Sequence, residues 1–319
     1  MKKFKSHIRE ALLLLLFISC LLPWCMGVLS NNAMRYMLQI FLYITIGEMW
    51  NLMSGYAGMT SLGQQAFIGL AGYSTAVVTT VYKLHYSIGM MAGVAVSLCI
   101  AALLALLLLH MKGMYFAIAT WVSAEALGTF FTSWKYVNQG AGMNITIVPY
   151  PRIGELYPIA LILCVIALAS TILLLRSRLG LGLTAMRDDT LAAASLGVNV
   201  GKNKLIVYLI AALFTSLAGS VFFINKGTIY PDSGFNISWT ISMVFIVIIG
   251  GVGTVEGPVV GAVVYVLMYE YLAHYPGWSN IILGAFSILV ILFMPKGIVG
   301  SVKDLTNKIK SLRTEGSSA

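Results

Sequence analysis

Few side chains in this 319-residue chain are equipped for chemistry, because only 10% are charged while 59% are hydrophobic. The most polar stretch in the body of the chain is 176–204. Within it Arg187, Asp188 and Asp189 precede a run holding Ala192 and Ala193, and Gly197 ends the run. Acids near a helix start favour its dipole and glycine suits its C-terminal cap, so these residues spell a short capped helix. Two readings stay open for it: a helix that docks into a groove on a soluble partner, or an ordinary capped connector. A second constellation is made of glycines. Gly55, Gly58 and Gly63 interrupt one apolar segment, and Gly250, Gly251, Gly253 and Gly257 interrupt another. Glycine-broken helices in the two halves of a transporter point to a translocation path. Close packing of helices through small residues gives the same pattern. Gln64 and Gln65, beside the first break, are polar candidates for the wall of such a path.

The acidic groups inside apolar segments are few: Glu48, Glu125 and Glu270. Such groups are costly in lipid and face a bundle interior or a cavity. Glu125 lies near the middle of its segment, so it is either a path-lining or gating group or a structural bond between helices. Glu48 and Glu270 lie near segment ends and are expected to reach water. The expected path residues are thus Gly55, Gly58, Gln64, Gln65, Glu125, Gly250 and Gly253. No catalytic constellation is found, and no enzyme activity, metal or cofactor is expected. Gly197 to Asn203 is one residue short of a phosphate-binding loop and ends in Asn, so the chain is not expected to bind ATP itself. Cys20, Cys25, Cys99 and Cys164 form no C-x-x-C pair and read as small buried apolar residues.

The elements that position these residues are set by hydropathy. A mean hydropathy of +0.89 with so little charge describes lipid-facing helices rather than a water-facing surface. Apolar runs near the spanning length of about 20 residues fall at 11–30, 34–54, 61–82, 87–109, 114–134, 156–175, 205–224, 238–250, 258–275 and 279–295. The fold class expected is all-α: a polytopic membrane protein of about ten transmembrane helices. The segments 2–9, 112, 176–204 and 296–313 hold fifteen of the twenty Lys and Arg residues. Arg35, Lys83, Lys135, Arg152 and Lys226 fall on the opposite side. This bias predicts that both termini are cytoplasmic. The net charge of +9 is therefore assigned to basic loops and tails, not to nucleic-acid binding. Residues 11–30 are expected to be a retained first helix rather than a signal peptide or a lipoprotein cleavage box. Residues 1–300 are expected to form a single transmembrane domain and 301–319 a basic cytoplasmic tail. Two outer loops, 135–157 and 225–239, are long enough to carry function.

The 176–204 loop resembles the coupling-helix region of permease subunits of ATP-binding-cassette importers. Leu191-Ala192-Ala193, three residues, Gly197, nine residues and Val207-Tyr208-Leu209-Ile210 keep the spacing of that pattern, without its glutamate and proline. The displacement of the acids to Asp188 and Asp189 resembles the branched-chain amino-acid permease family, and its M-type subunits most. Asn51 to Gly69, Gly113 to Ala117, Gly250 to Ala262 and Met294 to Gly300 resemble the family's other signatures in order. The resemblance implies a type II importer-like permease in a bacterial cytoplasmic (inner) membrane. It implies a second homologous permease subunit, two ABC ATPase subunits, an extracytoplasmic substrate-binding protein and a small-molecule substrate, a branched-chain amino acid. Alternatives are a permease for another small solute, such as urea or a short amide, or an ion-coupled secondary transporter.

Overall fold

The computed structural model describes residues 21, 23–24, 27, 29–147, 149–272, 279–294 and 297–302. Most of the expected first span at 11–30, with Cys20 and Cys25, and nearly all of the 301–319 tail lie outside them.

Helix α1 spans Asn31–Asn51, and the Ser30 side chain caps it by accepting from the Ala33 N–H at 3.3 Å. It runs directly into a π-helical turn, Leu52–Tyr56. A π turn carries one residue more than the α ladder allows, a distortion frequent at functional sites. There follow α2 (Gln65–Thr80), α3 (Tyr86–Leu108), α4 (Gly113–Ser133) and α5 (Ile153–Arg176). Two short helices in the 176–204 loop come next, α6 (Arg178–Asp188) and α7 (Thr190–Ser195). Helix α8 (Val200–Lys226) is the longest and ends on Gly227. The chain closes with α9 (Pro231–Gly234), α10 (Ser238–Gly250), α11 (Glu256–Leu272) and α12 (Ser279–Phe293).

Each expected apolar segment after residue 30 coincides with one of these helices. Among the described residues five stretches are long and apolar enough to cross a membrane alone: α3, α4, α5, α8 and Pro231–Gly250, which joins α9 and α10. In lipid only helices and closed barrels satisfy every backbone polar group. The chain is accordingly a multi-pass helical membrane protein.

Helix α8 packs against both α1 and α2 at the centre. Helix α1 also meets α5, α10 and α11, and α3 covers α2 and α8. The buried core runs through Leu38, Met49, Phe67, Tyr73, Tyr157 and Phe223. By contrast, α3 turns Leu103, Leu106 and Leu107 outward, and α4 does so with Met114, Ile118 and Phe130. An apolar outer face is what lipid contact demands. Cys164 is buried as expected, but Cys99 is on this outer face. That corrects its reading as a buried residue: α3 is so uniformly apolar that its composition does not say which side faces inward.

The described strands are β1 (Met143–Asn144) and β2 (Thr228–Ile229), paired antiparallel. They pin the 135–157 loop to the end of α8. The Thr80 hydroxyl donates to the Asn144 carbonyl at 2.9 Å and accepts from the Thr146 N–H at 3.0 Å, fixing the same loop to α2.

Candidate coupling junction and translocation path

The short helix in the 176–204 loop is built by its two caps. Asp189 is its N-cap, and one carboxylate oxygen accepts from the Leu191 N–H at 2.8 Å and the Ala192 N–H at 3.1 Å. These two bonds hold the Asp189 carboxyl below its ordinary pKa. At the other end Gly197 takes φ +84°, its N–H bonding Ala194 O while Val198 N–H bonds Ala193 O. That paired reversal is a Schellman cap, which needs a left-handed residue where glycine sits. Ala193 is buried beneath the helix, and Ala192 faces outward. Leu191 and Leu196 stand out at 70% and 82% exposure, an apolar pair that no spacing rule singled out. Asp188 is the last residue of α6 and is exposed.

Arg187 leaves the same loop in the other direction. Its Nη1 donates to the carbonyl of Gly55, in the π turn, at 2.7 Å. A Cβ on Gly253 would lie 3.0 Å from that nitrogen, and one on Gly58 would lie 3.2 Å from the Arg187 Cα. Gly253 also needs its φ of +73°. The two glycine breaks, some 200 residues apart, are therefore in contact, and the loop arginine sits on both. Asn51 fastens them: its Oδ1 accepts from the Gly253 N–H at 2.8 Å and its Nδ2 donates to Thr254 O at 2.9 Å. A Cβ on Gly55 would meet that Oδ1 at 2.3 Å and the Gly253 nitrogen at 2.8 Å. Gly250 serves a different contact. A Cβ there would strike the Gly257 carbonyl at 1.9 Å, so α10 and α11 touch backbone to backbone. Gly297, from the last quoted signature, closes on Gly251. The sequence signal for Asn51 was its place four residues before Gly55; its partner across the molecule left no local trace.

Gln64 and Gln65 lie at the start of α2, fully buried. Gln65 Oε1 accepts from the Thr240 hydroxyl of α10, and Gln64 Nε2 donates to Met53 Sδ at 3.0 Å. Gln64 Oε1 and Gln65 Nε2 have no partner among the described residues. Half-satisfied buried amides are expensive, so a site that keeps them calls for a functional explanation.

The three glutamates divide differently from expectation. Glu125 is exposed on the outer side of α4, where its Oε1 accepts from Trp121 Nε1 at 3.1 Å. Glu48 is fully buried, and neither carboxyl oxygen has a hydrogen-bond partner among the described residues. The expectation that Glu48 reaches water is thus corrected: α1 is central, so its end lies beneath α11 and α5 instead of at the surface. Glu270 is half-exposed. Among the described residues no group of His, Cys, Asp and Glu could hold a metal ion.

A cavity of about 610 Å³ opens at the far end of α8. Lys226 and Asp232 stand on its lining with Ser238 and Asn236, and Tyr43, Trp239 and Tyr265 also line it.

No solved structure matches the chain. It is similar to the high-affinity branched-chain amino acid transport system permease protein LivM of Salmonella typhimurium, with 25% identity across 98% of this chain and 80% of that protein. LivM of Escherichia coli is also 25% identical, across 92% of this chain and 76% of its own length. LivH of Salmonella typhimurium, another permease protein of that description, is 29% identical over 42% of this chain and 43% of its own. The family described as branched-chain amino acid transport system / permease component matches residues 32–295. By this match the chain belongs to the branched-chain amino acid transport system permease family.

Proposed function

We propose that this chain is the membrane-spanning permease subunit of an ATP-driven importer for branched-chain amino acids. It pairs with a second, related permease subunit in a bacterial cytoplasmic membrane, with both termini and the α6–α7 loop on the ATP side. Two ATPase subunits bind below the permease pair, coupled to this chain through α7 with its exposed Leu191 and Leu196, and a substrate-binding protein delivers solute to the opposite face. The observation that supports this best is the bond from Arg187 to the Gly55 carbonyl. It ties the docking loop to the π turn, and through Asn51 to the Gly253 break. ATP-driven movement of α7 then shifts both breaks together. Close-packed helices switch between discrete arrangements more readily than they deform, so such a tie converts a small displacement into a change of access. Gln64, Gln65 and Thr240 lie between this junction and the far cavity and form part of the gated path.

The test is Gly197→Arg and Asp189→Lys in the complete complex. Both are expected to abolish uptake while the chain stays in the membrane at its normal level. Normal uptake in both variants would remove the docking helix from the mechanism.

A further inference from the structure

We propose that the cavity beside Lys226 and Asp232 is a receiving subsite that holds a free zwitterionic amino acid before it passes the gate. The inference rests on the importer reading and adds a named ligand-binding location to it. Helix α8 starts beside α7 and runs 27 residues, or roughly 40 Å at the rise of an α-helix. The cavity therefore lies across the molecule from Arg187, on the side to which the binding protein is assigned. Its volume of about 610 Å³ is within the range of sites for small ligands.

The lining has one cation and one carboxylate. Neither Lys226 nor Asp232 is held in an ion pair among the described residues. A zwitterion presents one carboxylate and one ammonium, so this pair matches both of its charges and leaves none over. A solute carrying a single charge would leave one of the two without a counter-charge. The rest of the wall is aromatic and already fixed. Trp239 Nε1 donates to Ser233 O at 2.8 Å, and its indole meets Phe222 edge-on with ring centres 4.7 Å apart. Tyr43 stacks on Trp239 and tilts against Tyr265, whose hydroxyl is 2.5 Å from Ser242 Oγ. Rigid rings offer an aliphatic side chain an apolar surface with little entropy left to lose. Below them Tyr43, Phe222 and Trp239 also line a crevice of only about 10 Å³, continued by Ile46, Ile68 and Gly219. The charged cavity and this apolar crevice thus share the aromatic wall of Tyr43, Phe222 and Trp239, a surface suited to a branched side chain.

The experiment uses the complete complex with its binding protein in proteoliposomes, comparing Lys226→Ala and Asp232→Ala with Lys226→Arg and Asp232→Glu. Leucine moved per ATP hydrolysed is expected to fall about tenfold in each Ala variant, as for loss of one charge-assisted contact. It is expected to recover in the conservative variants, with binding-protein-stimulated ATPase unchanged throughout. In a Ser238→Cys background, millimolar leucine should slow maleimide labelling, whereas leucinamide and 4-methylpentanoate, each lacking one charge, should not. Equal protection by all three, or no protection with unchanged coupling, would overturn the subsite. So would loss of stimulated ATPase in the Ala variants, which would assign the two residues to binding-protein docking. The labelling does not depend on transport, so a wild-type complex that fails to import leucine would count against the importer reading alone.

Discussion

At the scale of the residue, one polar contact carries the argument. The Arg187–Gly55 bond is charge-assisted, and such bonds contribute on the order of 1.5–3 kcal/mol. Arg187→Met is expected to cut uptake by at least about tenfold at normal membrane level, while ATPase activity persists uncoupled. Measuring uptake and ATP hydrolysis on the same vesicles checks this; preserved coupling would show that the tie is dispensable. Gly55→Ala is a harsher change, because the new methyl displaces Asn51 Oδ1 from the Gly253 N–H. It should lower thermal stability as well as uptake. For Glu125 the outward bond from Trp121 survives in Glu125→Gln and is lost in Glu125→Ala. Unchanged transport in both variants would leave it a structural group on the outside of α4.

The docking helix is the clearest case at the scale of the element. Its six residues are too few to hold helical form alone, so its existence depends on the Asp189 and Gly197 caps. The lowered pKa of Asp189 fixes the sign of a pH effect. A group whose folded pKa is depressed stabilises fully above its unfolded pKa, and the gain is lost as pH falls through the folded value. Asp189 therefore stays ionised, and coupling should not change with pH on its account, across the neutral range. Uncoupling on acidification should begin only below the ordinary aspartate range, as read by ATPase stimulation against pH. Leu196→Asp should release the ATPase subunits on solubilisation while leaving the permease folded, since that side chain touches little of its own chain. The caps were legible because they are local: an acid, an alanine run and a glycine at helix spacing. The exposed leucines were not, because a leucine in a sequence does not announce which way it faces.

For the whole molecule, the arrangement predicts a sidedness. Ser195→Cys should react with an impermeant maleimide only from the cytoplasmic side, and Asn236→Cys only from the other. The reverse pattern would invert the orientation. Cys99 should react with a lipid-soluble reagent in intact membranes, and Cys164 should not. Uptake by the reconstituted complex should continue when ion gradients are dissipated and stop when ATP is removed. Collapse with ATP still present would favour the ion-coupled alternative.

The sequence by itself determined the helical segments, their apolar character, the charge bias and the capped loop. These depend on runs of neighbouring residues, and lipid permits little backbone structure other than helix. It also marked Gly55 and Gly253 as special without saying that they meet. Only the tertiary structure decided that Arg187 and Asn51 join the two breaks, that Glu48 is buried, and that Glu125 is not. It also decided that Lys226 and Asp232 share a cavity with an aromatic wall. The physical reason is common to all of these. In a chain apolar on nearly every face, the periodicity that separates inside from outside is faint, so burial is set by which helices pack centrally. That packing depends on contacts between residues far apart in sequence, which no local pattern records.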